Sequence, residues 1–101
     1  MKRSLFIEPE AEADITNARL WYEQQRSGLG DEFLLSLEAS FEAITMRPNS
    51  FPSVRKGVRR ALTPRFPYLV LFVESRREAS IFVVGVFHTS RNPRTWTKRA
   101  R

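Results

Sequence analysis

The 101-residue sequence contains no cysteine. Neither a disulfide framework nor a thiolate metal site can be built from it, and the absence fits a reducing compartment. Long hydrophobic runs are missing too. The longest, Leu69 to Val73, falls far short of the roughly 20 residues that cross a bilayer. Lys2 and Arg3 are followed only by Leu5-Phe6-Ile7 before Glu8, too brief for the apolar region of a signal peptide. These absences lead us to expect a cytoplasmic chain with no membrane contact, metal or cofactor. The length suits one domain spanning residues 1–101, and the 42% hydrophobic content supports a modest core.

Acidic residues are scarce in one half only. Met1 to Ser50 holds five Lys or Arg against nine Asp or Glu, a net of −4. Phe51 to Arg101 holds twelve against two, Glu74 and Glu78, a net of +10. Such asymmetry points to a basic surface that meets a polyanion or an acidic protein.

What is present reads in order as strand, helix, helix and three strands. A short strand is expected over Arg3 to Glu8. Pro9 suits the first position of a helix, where its missing N–H costs nothing, and Glu10, Glu12 and Asp14 favour the positive end of the helix dipole. Ala11, Ile15, Ala18 and Tyr22 fall at helical spacing, with Trp21 widening that stripe. Ser27-Gly28 ends the helix. A second helix begins near Leu29-Gly30-Asp31, with Phe33, Leu34, Leu37, Phe41 and Ile44 on one face, and stops at Pro48. The short connector makes the two an antiparallel hairpin. Asn49 to Gly57 reads as a loop tucking Phe51 and Val54 under a sheet. Val58–Thr63 is a candidate strand with Arg59 and Arg60 on opposite sides. Tyr68–Glu74 and Ser80–Phe87 form a hairpin. The tail from Thr97 is expected to fray. The class is α+β in two layers, with the hairpin on one face of a three-stranded antiparallel sheet and the other face open and cationic.

The last strand delivers His88, Arg91, Arg94 and Trp96 to one edge of the fold. A histidine can act as acid or base near neutral pH, and a guanidinium fits phosphate oxygens. The bland reading of His88 is a strand-end ring bonded to backbone or water. Trp96 reads as a lid on the core or as a partner's anchor. Arg76 and Arg77, in a turn, read as solvated.

Five stretches together resemble the RelE/ParE toxin superfamily of type II toxin–antitoxin systems, often labelled plasmid stabilisation proteins. They are E-P-E-A-E-A-D-I, W-Y-E-Q-Q-R-S-G-L-G-D-E-F, R-P-N-S-F-P, V-R-R-A-L-T-P-R-F-P-Y and V-F-H-T-S-R-N-P-R-T-W. The resemblance runs from Ser4 to Trp96 and implies the same order of elements. It also implies a small cognate antitoxin, ParD-like or RelB-like, and a toxin–antitoxin hetero-oligomer. RelE-like members cut mRNA on the ribosome, whereas ParE-like members inhibit DNA gyrase. G-L-G-D-E-F, R-F-P-Y and H-T-S-R-N-P-R-T-W place this chain nearer the ParE side.

For a nuclease, the resemblance implies Arg65 opposite the scissile phosphate and His88 as acid or base, with Arg59, Arg60 and Arg91 on phosphates. Two departures oppose this. Thr89 follows His88 where active relatives often carry a phenol, and Glu74 and Glu78 sit at a turn away from His88. The favoured reading is therefore a non-enzymatic toxin that binds a target such as gyrase. Arg59, Arg60, Arg65, Tyr68, Arg91, Arg94 and Trp96 would then meet the target or an acidic antitoxin segment. A binding module without toxicity is the third reading.

Overall fold

The computed structural model describes residues 2–99. Strand β1 (Ser4–Ile7) sends Leu5 and Ile7 to one side of the sheet and Phe6 to the other. Pro9 then opens α1 (Pro9–Gln25), with Glu10 and Glu12 in its first turn. Ala11 and Ala18 are buried and Ile15 and Tyr22 partly so, as the periodicity predicts. Trp21 departs from that expectation and is 56% exposed. Tyr22 takes the space against Phe33, Phe66 and Tyr68, which leaves the indole outside it, edge-on at 5.1 Å.

The turn into α2 (Leu29–Met46) needs Gly28, whose φ is 90°. Glu23 fastens it by accepting hydrogen bonds from the Gly28 and Gly30 N–H groups, both 2.9 Å. Gly30 allows the helices to touch, since a Cβ there would lie 2.9 Å from the Arg19 carbonyl oxygen. Helix α2 buries Phe33, Leu37 and Ile44 completely or nearly so. Each such side chain contributes about 1.5–3 kcal/mol of transfer free energy.

The sheet has five strands in the order β1-β5-β4-β3-β2, two more than the late antiparallel set predicted from sequence. A 3₁₀ turn (Pro48–Ser50) and strand β2 (Ser53–Arg55) occupy the segment read as a loop. Strands β3 (Val58–Leu62), β4 (Tyr68–Ser75) and β5 (Ser80–His88) follow and pair antiparallel. Strand β1 joins the other edge in parallel with β5, from Ser4 opposite Ser80 to Ile7 opposite Val83. A three-residue strand is too short to show a period, so β2 escapes the local pattern; β1 is found where the sequence predicts a strand, but its pairing with β5 spans most of the chain and no local pattern reveals it.

The two faces carry separate cores. On the helix side Ala61, Val70, Phe72, Ile81, Val83 and Val86 meet the helical hairpin. The far side is not the open cationic surface expected. It holds a second cluster of Val58, Leu69, Leu71 and Phe87, with Val54, Val73, Val84 and Trp96 packed against it. Trp96 arrives on α3 (Pro93–Arg99), so the chain beyond Thr97 is helical through Arg99 rather than frayed. Ala100 and Arg101 lie outside the described residues.

One irregularity ties the layers together. The β4–β5 register shifts between Leu71–Gly85 and Phe72–Val83, leaving an extra residue in β5. A Cβ on Gly85 would meet the Phe87 ring at 2.4 Å, which explains the glycine there. Past Ile7, the β1 side of β5 has no strand to pair with, and unpaired backbone groups are costly when buried. Asp14 of α1 accepts from the Val86 N–H at 3.0 Å. Arg99 of α3 donates to the Val84 carbonyl at 3.1 Å and to Asp14 at 2.8 and 3.3 Å. That bond raises the already high pKa of Arg99, against the opposing effect of burial. Among the described residues no helix is long and apolar enough to cross a membrane.

Candidate functional site

The arginines singled out from sequence do not share one hollow. Arg59 and Arg60 face opposite sides of β3, as alternation requires. Arg59, on the helix side, is half-buried and donates to the Phe51 carbonyl at 2.6 Å. Arg60 lies on the far side, half-buried beside the second cluster.

Arg65 stands at the tip of the β3–β4 connection, which is tightly bonded. The Thr63 N–H donates to the Tyr68 carbonyl at 2.9 Å, the Phe66 N–H to the Pro64 carbonyl at 2.8 Å, and the Thr63 hydroxyl to the Phe66 carbonyl at 2.7 Å. The Ser36 hydroxyl of α2 donates to the Pro64 carbonyl. Within this frame Arg65 has a φ of 70°, a left-handed conformation that costs a non-glycine residue about 1 kcal/mol. Its guanidinium reaches Glu32 Oε1 at 2.9 Å, and Arg26 meets the same carboxylate at 3.3 Å. The Arg65 hydrogen bond holds the Glu32 carboxyl below its ordinary range; burial opposes that shift and Arg26 adds to it.

His88 sits elsewhere. The β4–β5 register places Tyr68 opposite His88, and the two rings meet edge-on at 5.2 Å. They border a cleft of about 270 Å³ whose walls include Asp14, Asn17, Trp21 and Arg91. Arg65 is not among the lining residues, so the Arg65–His88 pair is not assembled, whereas Tyr68, His88 and Arg91 are. The Ser90 N–H donates to His88 Nδ1 at 3.0 Å, so this ring nitrogen is an acceptor. Burial pushes the Tyr68 phenol above its ordinary pKa, neighbouring Tyr22 adds to this, and Arg91 works against it. The phenol therefore stays a donor at neutral pH. Arg91 also lies over the Phe87 ring at 5.7 Å, while Arg99 covers the same ring at 4.9 Å.

A second, larger cleft of about 700 Å³ adjoins the first at the Asp14–Arg99 pair. Glu10 of α1 forms one wall, and Asn92, Arg94, Thr95, Lys98 and Arg99 form the other. Trp96 points away from it into the far-side cluster, with its indole N–H buried and unpartnered. Arg76 and Arg77 are exposed in the β4–β5 turn. Sequence reasoning missed Asn17 and Trp21 as cleft residues. The signal was available: an indole one position off a core stripe has space for only one aromatic inside, and Tyr22 fills it. Among the described residues no group of three acidic or histidine side chains is arranged to hold a metal ion.

A family model described as the ParE toxin of a type II toxin–antitoxin system, parDE, matches residues 5–93. Among solved structures, the chain resembles one from the chromosomal ParDE toxin–antitoxin system of P. aeruginosa. The TM-score is 0.75 at 17% identity, covering 88% of this chain and 98% of that one. It also resembles a chain of the RelBE2 toxin–antitoxin complex from Mycobacterium tuberculosis, with a TM-score of 0.64 at 13% identity over 87% and 99% of the two chains. No curated protein matches the sequence. At these identities the solved structures speak for the α+β fold alone, and the family match covers nearly the whole described chain: the chain belongs to the ParE toxin family of type II toxin–antitoxin systems.

Proposed function

We propose that this toxin acts by binding a cellular target such as DNA gyrase, without cutting RNA, and that a small ParD-like antitoxin neutralises it in a hetero-oligomer. The observation that carries the non-enzymatic reading is the separation of Arg65 from His88. Arg65 is engaged with Glu32 at the α2 end, and His88 has Nδ1 occupied by a backbone N–H. A general base needs an accepting nitrogen within reach of the proton it removes, and Nδ1 of His88 is already taken up by the Ser90 N–H. The solved relatives are described as toxin–antitoxin systems or complexes, which supports an antitoxin as partner. An acidic antitoxin segment finds cations at Arg60 and Arg65, and an apolar foothold at Leu62, which is 60% exposed on the far side. Such a segment orders as it binds. Purified toxin should inhibit gyrase supercoiling at micromolar excess, and added antitoxin should restore it. Unimpaired supercoiling at that excess would remove gyrase as the target.

A second reading draws on the Tyr68–His88 contact, which supplies the phenol that the sequence lacks after His88. In that reading Tyr68, His88 and Arg91 serve a ribosome-dependent endoribonuclease. Primer extension on transcripts after induction distinguishes the two, since cleavage within codons belongs only to the nuclease. Induction without growth arrest but with antitoxin still bound would instead identify a binding module that has lost toxicity.

A further inference from the structure

The two edges of the sheet are built differently. At one edge, β2 has an irregular register with β3 and runs into Arg55 and Lys56. An interrupted ladder and edge cations both discourage pairing with another chain. At the other edge, β1 has neither device within it: Leu5, Phe6 and Ile7 stand in a row, in regular register with β5. The Ser4 N–H donates to the Ala79 carbonyl at 3.1 Å and the Glu8 N–H to the Val83 carbonyl at 2.9 Å. Even-numbered residues thus turn their backbone groups to β5, and the N–H and C=O groups of Leu5 and Ile7 point outward along the open edge. The Arg3 N–H, turned the same way, is taken by the Thr45 carbonyl at 3.3 Å, so the open stretch starts at Leu5. On the far face Phe6 is 52% exposed and stacks on Phe82, with ring centroids 5.6 Å apart. On the helix face Leu5 borders a cleft of about 320 Å³ together with Phe41 and Thr45.

The charges beside this edge select its occupant. Lys2 and Arg3 precede β1, and Glu8 with the acidic first turn of α1 follows it. Lys2 is held by Glu42 in a pair exposed on both sides, and the Glu8 side chain makes neither a cap hydrogen bond nor an ion pair among the described residues. A partner segment of one charge would gain at one end of the strand and be repelled at the other. A second copy of the chain, laid antiparallel, brings its Glu8 opposite Ser4 and beside Lys2, and its Lys2 beside Glu8, so both ends are answered. The same register sets Leu5 opposite Ile7 of the second copy, where their outward N–H and C=O groups bond to each other. It sets Phe6 against Phe6 on the two-fold axis, in the non-hydrogen-bonded position where side chains approach most closely. A patch that complements itself is what an isologous contact requires. We propose that two copies of this chain pair through β1, antiparallel about Phe6, joining their sheets and covering both Phe6–Phe82 stacks. Contact between two short strands falls below the roughly 1,600 Å² of a standard interface, so a dissociation constant on the order of 100 µM is expected. The site goes beyond the toxin's proposed target. Strands β5 and β4 separate it from Arg60 and Leu62 of β3, where the antitoxin segment is placed, so it stands independently of that reading.

The test is sedimentation velocity of the full chain without antitoxin, loaded from about 10 µM to about 1 mM. The average mass should rise from one chain toward two across that range. Phe6→Lys places two ammonium groups on the axis and should weaken the dimer about tenfold or more, since an edge lysine opposes strand pairing. Phe6 is outside both cores, so the variant keeps the fold, and circular dichroism checks this. Lys2→Glu and Glu8→Lys should each weaken association about fivefold, by setting like charges beside each other. The double variant K2E/E8K should restore it, because the exchange recreates both opposite-charge contacts across the axis; a damaged fold would not be repaired in this way. Leu62→Lys, on the same face but at β3, should leave the mass curve unchanged. A single-chain mass at about 1 mM would overturn the proposal. So would a dimer that F6K leaves intact, one that L62K weakens as much as F6K does, or a K2E/E8K variant no better than either single change. A monomeric toxin whose antitoxin binding is lost in F6K would overturn it in favour of the antitoxin as occupant of this edge.

Discussion

On the helix side of the sheet, Phe33, Leu37 and Ile44 press onto Phe72, Ile81 and Val83, all essentially without exposure. On the far side a smaller cluster is covered in part by the seven residues of α3, held by Arg99 and by Arg55 donating to the Thr97 carbonyl at 2.9 Å. One face is closed by extensive apolar burial. The other is closed by a smaller apolar cluster and by a few directional polar contacts that fasten a short helix over it. Apolar burial is tolerant of angle and scales with area, whereas a charged pair depends on geometry and on both partners being present. The helix side is therefore the structural half of the molecule, and the surfaces around α3 are those where sequence can vary in function without loss of the fold.

The sharpest break of this comparison is Phe72→Ala, which should cost about 3–5 kcal/mol because a fully buried ring leaves a cavity. Trp96→Ala on the far side should cost only about 1–2 kcal/mol, since the indole is half-buried and its removal also relieves a buried N–H without a partner. Urea denaturation measures both, and equal losses would mean that the two faces contribute alike. Gly85→Ala comes next, at about 2 kcal/mol, because the new methyl displaces the Phe87 ring. Its destabilisation should fall largely away in a Phe87→Leu background, where a smaller side chain can yield.

Asp14→Ala should cost about 1–2 kcal/mol, as it leaves the Val86 N–H without its acceptor and Arg99 with only the Val84 carbonyl and the more distant Glu10. Hydrogen exchange at Val86 and through α3 should speed up while amides of α2 stay protected; uniform acceleration would show that the clamp supports the whole fold. The smallest effect concerns Glu32. Its folded pKa lies below the unfolded value of about 4.3 because Arg65 favours the carboxylate. Its contribution is thus present above that value and is lost as pH falls through the folded pKa. Glu32→Gln should flatten the acid limb of the stability curve and leave the alkaline limb unchanged. An unaltered acid limb would show the Arg65 contact to be inconsequential in solution.

Much of the helical layer is legible in the chain because its signals are local. Pro9, Gly28 and Pro48 punctuate the helices, and the 3.6-residue spacing of Ala11, Ile15, Ala18 and Tyr22 marks the inner face. Strands β3, β4 and β5 are legible from β-branched runs between turn residues, and the ParE-like motifs stand in the turns and connections beside these elements. Strand β2 and helix α3 are not, being too short for a period to repeat. Trp21 went astray for another reason: two adjacent aromatics competed for one place in the core, and a helical wheel cannot say which one fits.

The residue pattern by itself determined the α+β class, the helical hairpin, the basic second half and the family resemblance, since each follows from neighbours within a few positions. Tertiary structure alone decided which charged groups meet. Register across β4 and β5 set Tyr68 beside His88, and the β5 bulge drew Asp14 and Arg99 together across 85 positions of sequence. The β3–β4 turn gave Arg65 to Glu32 rather than to His88. Those encounters depend on strand register and on where each strand ends, quantities set by the packing of the whole chain and written in no single segment of it.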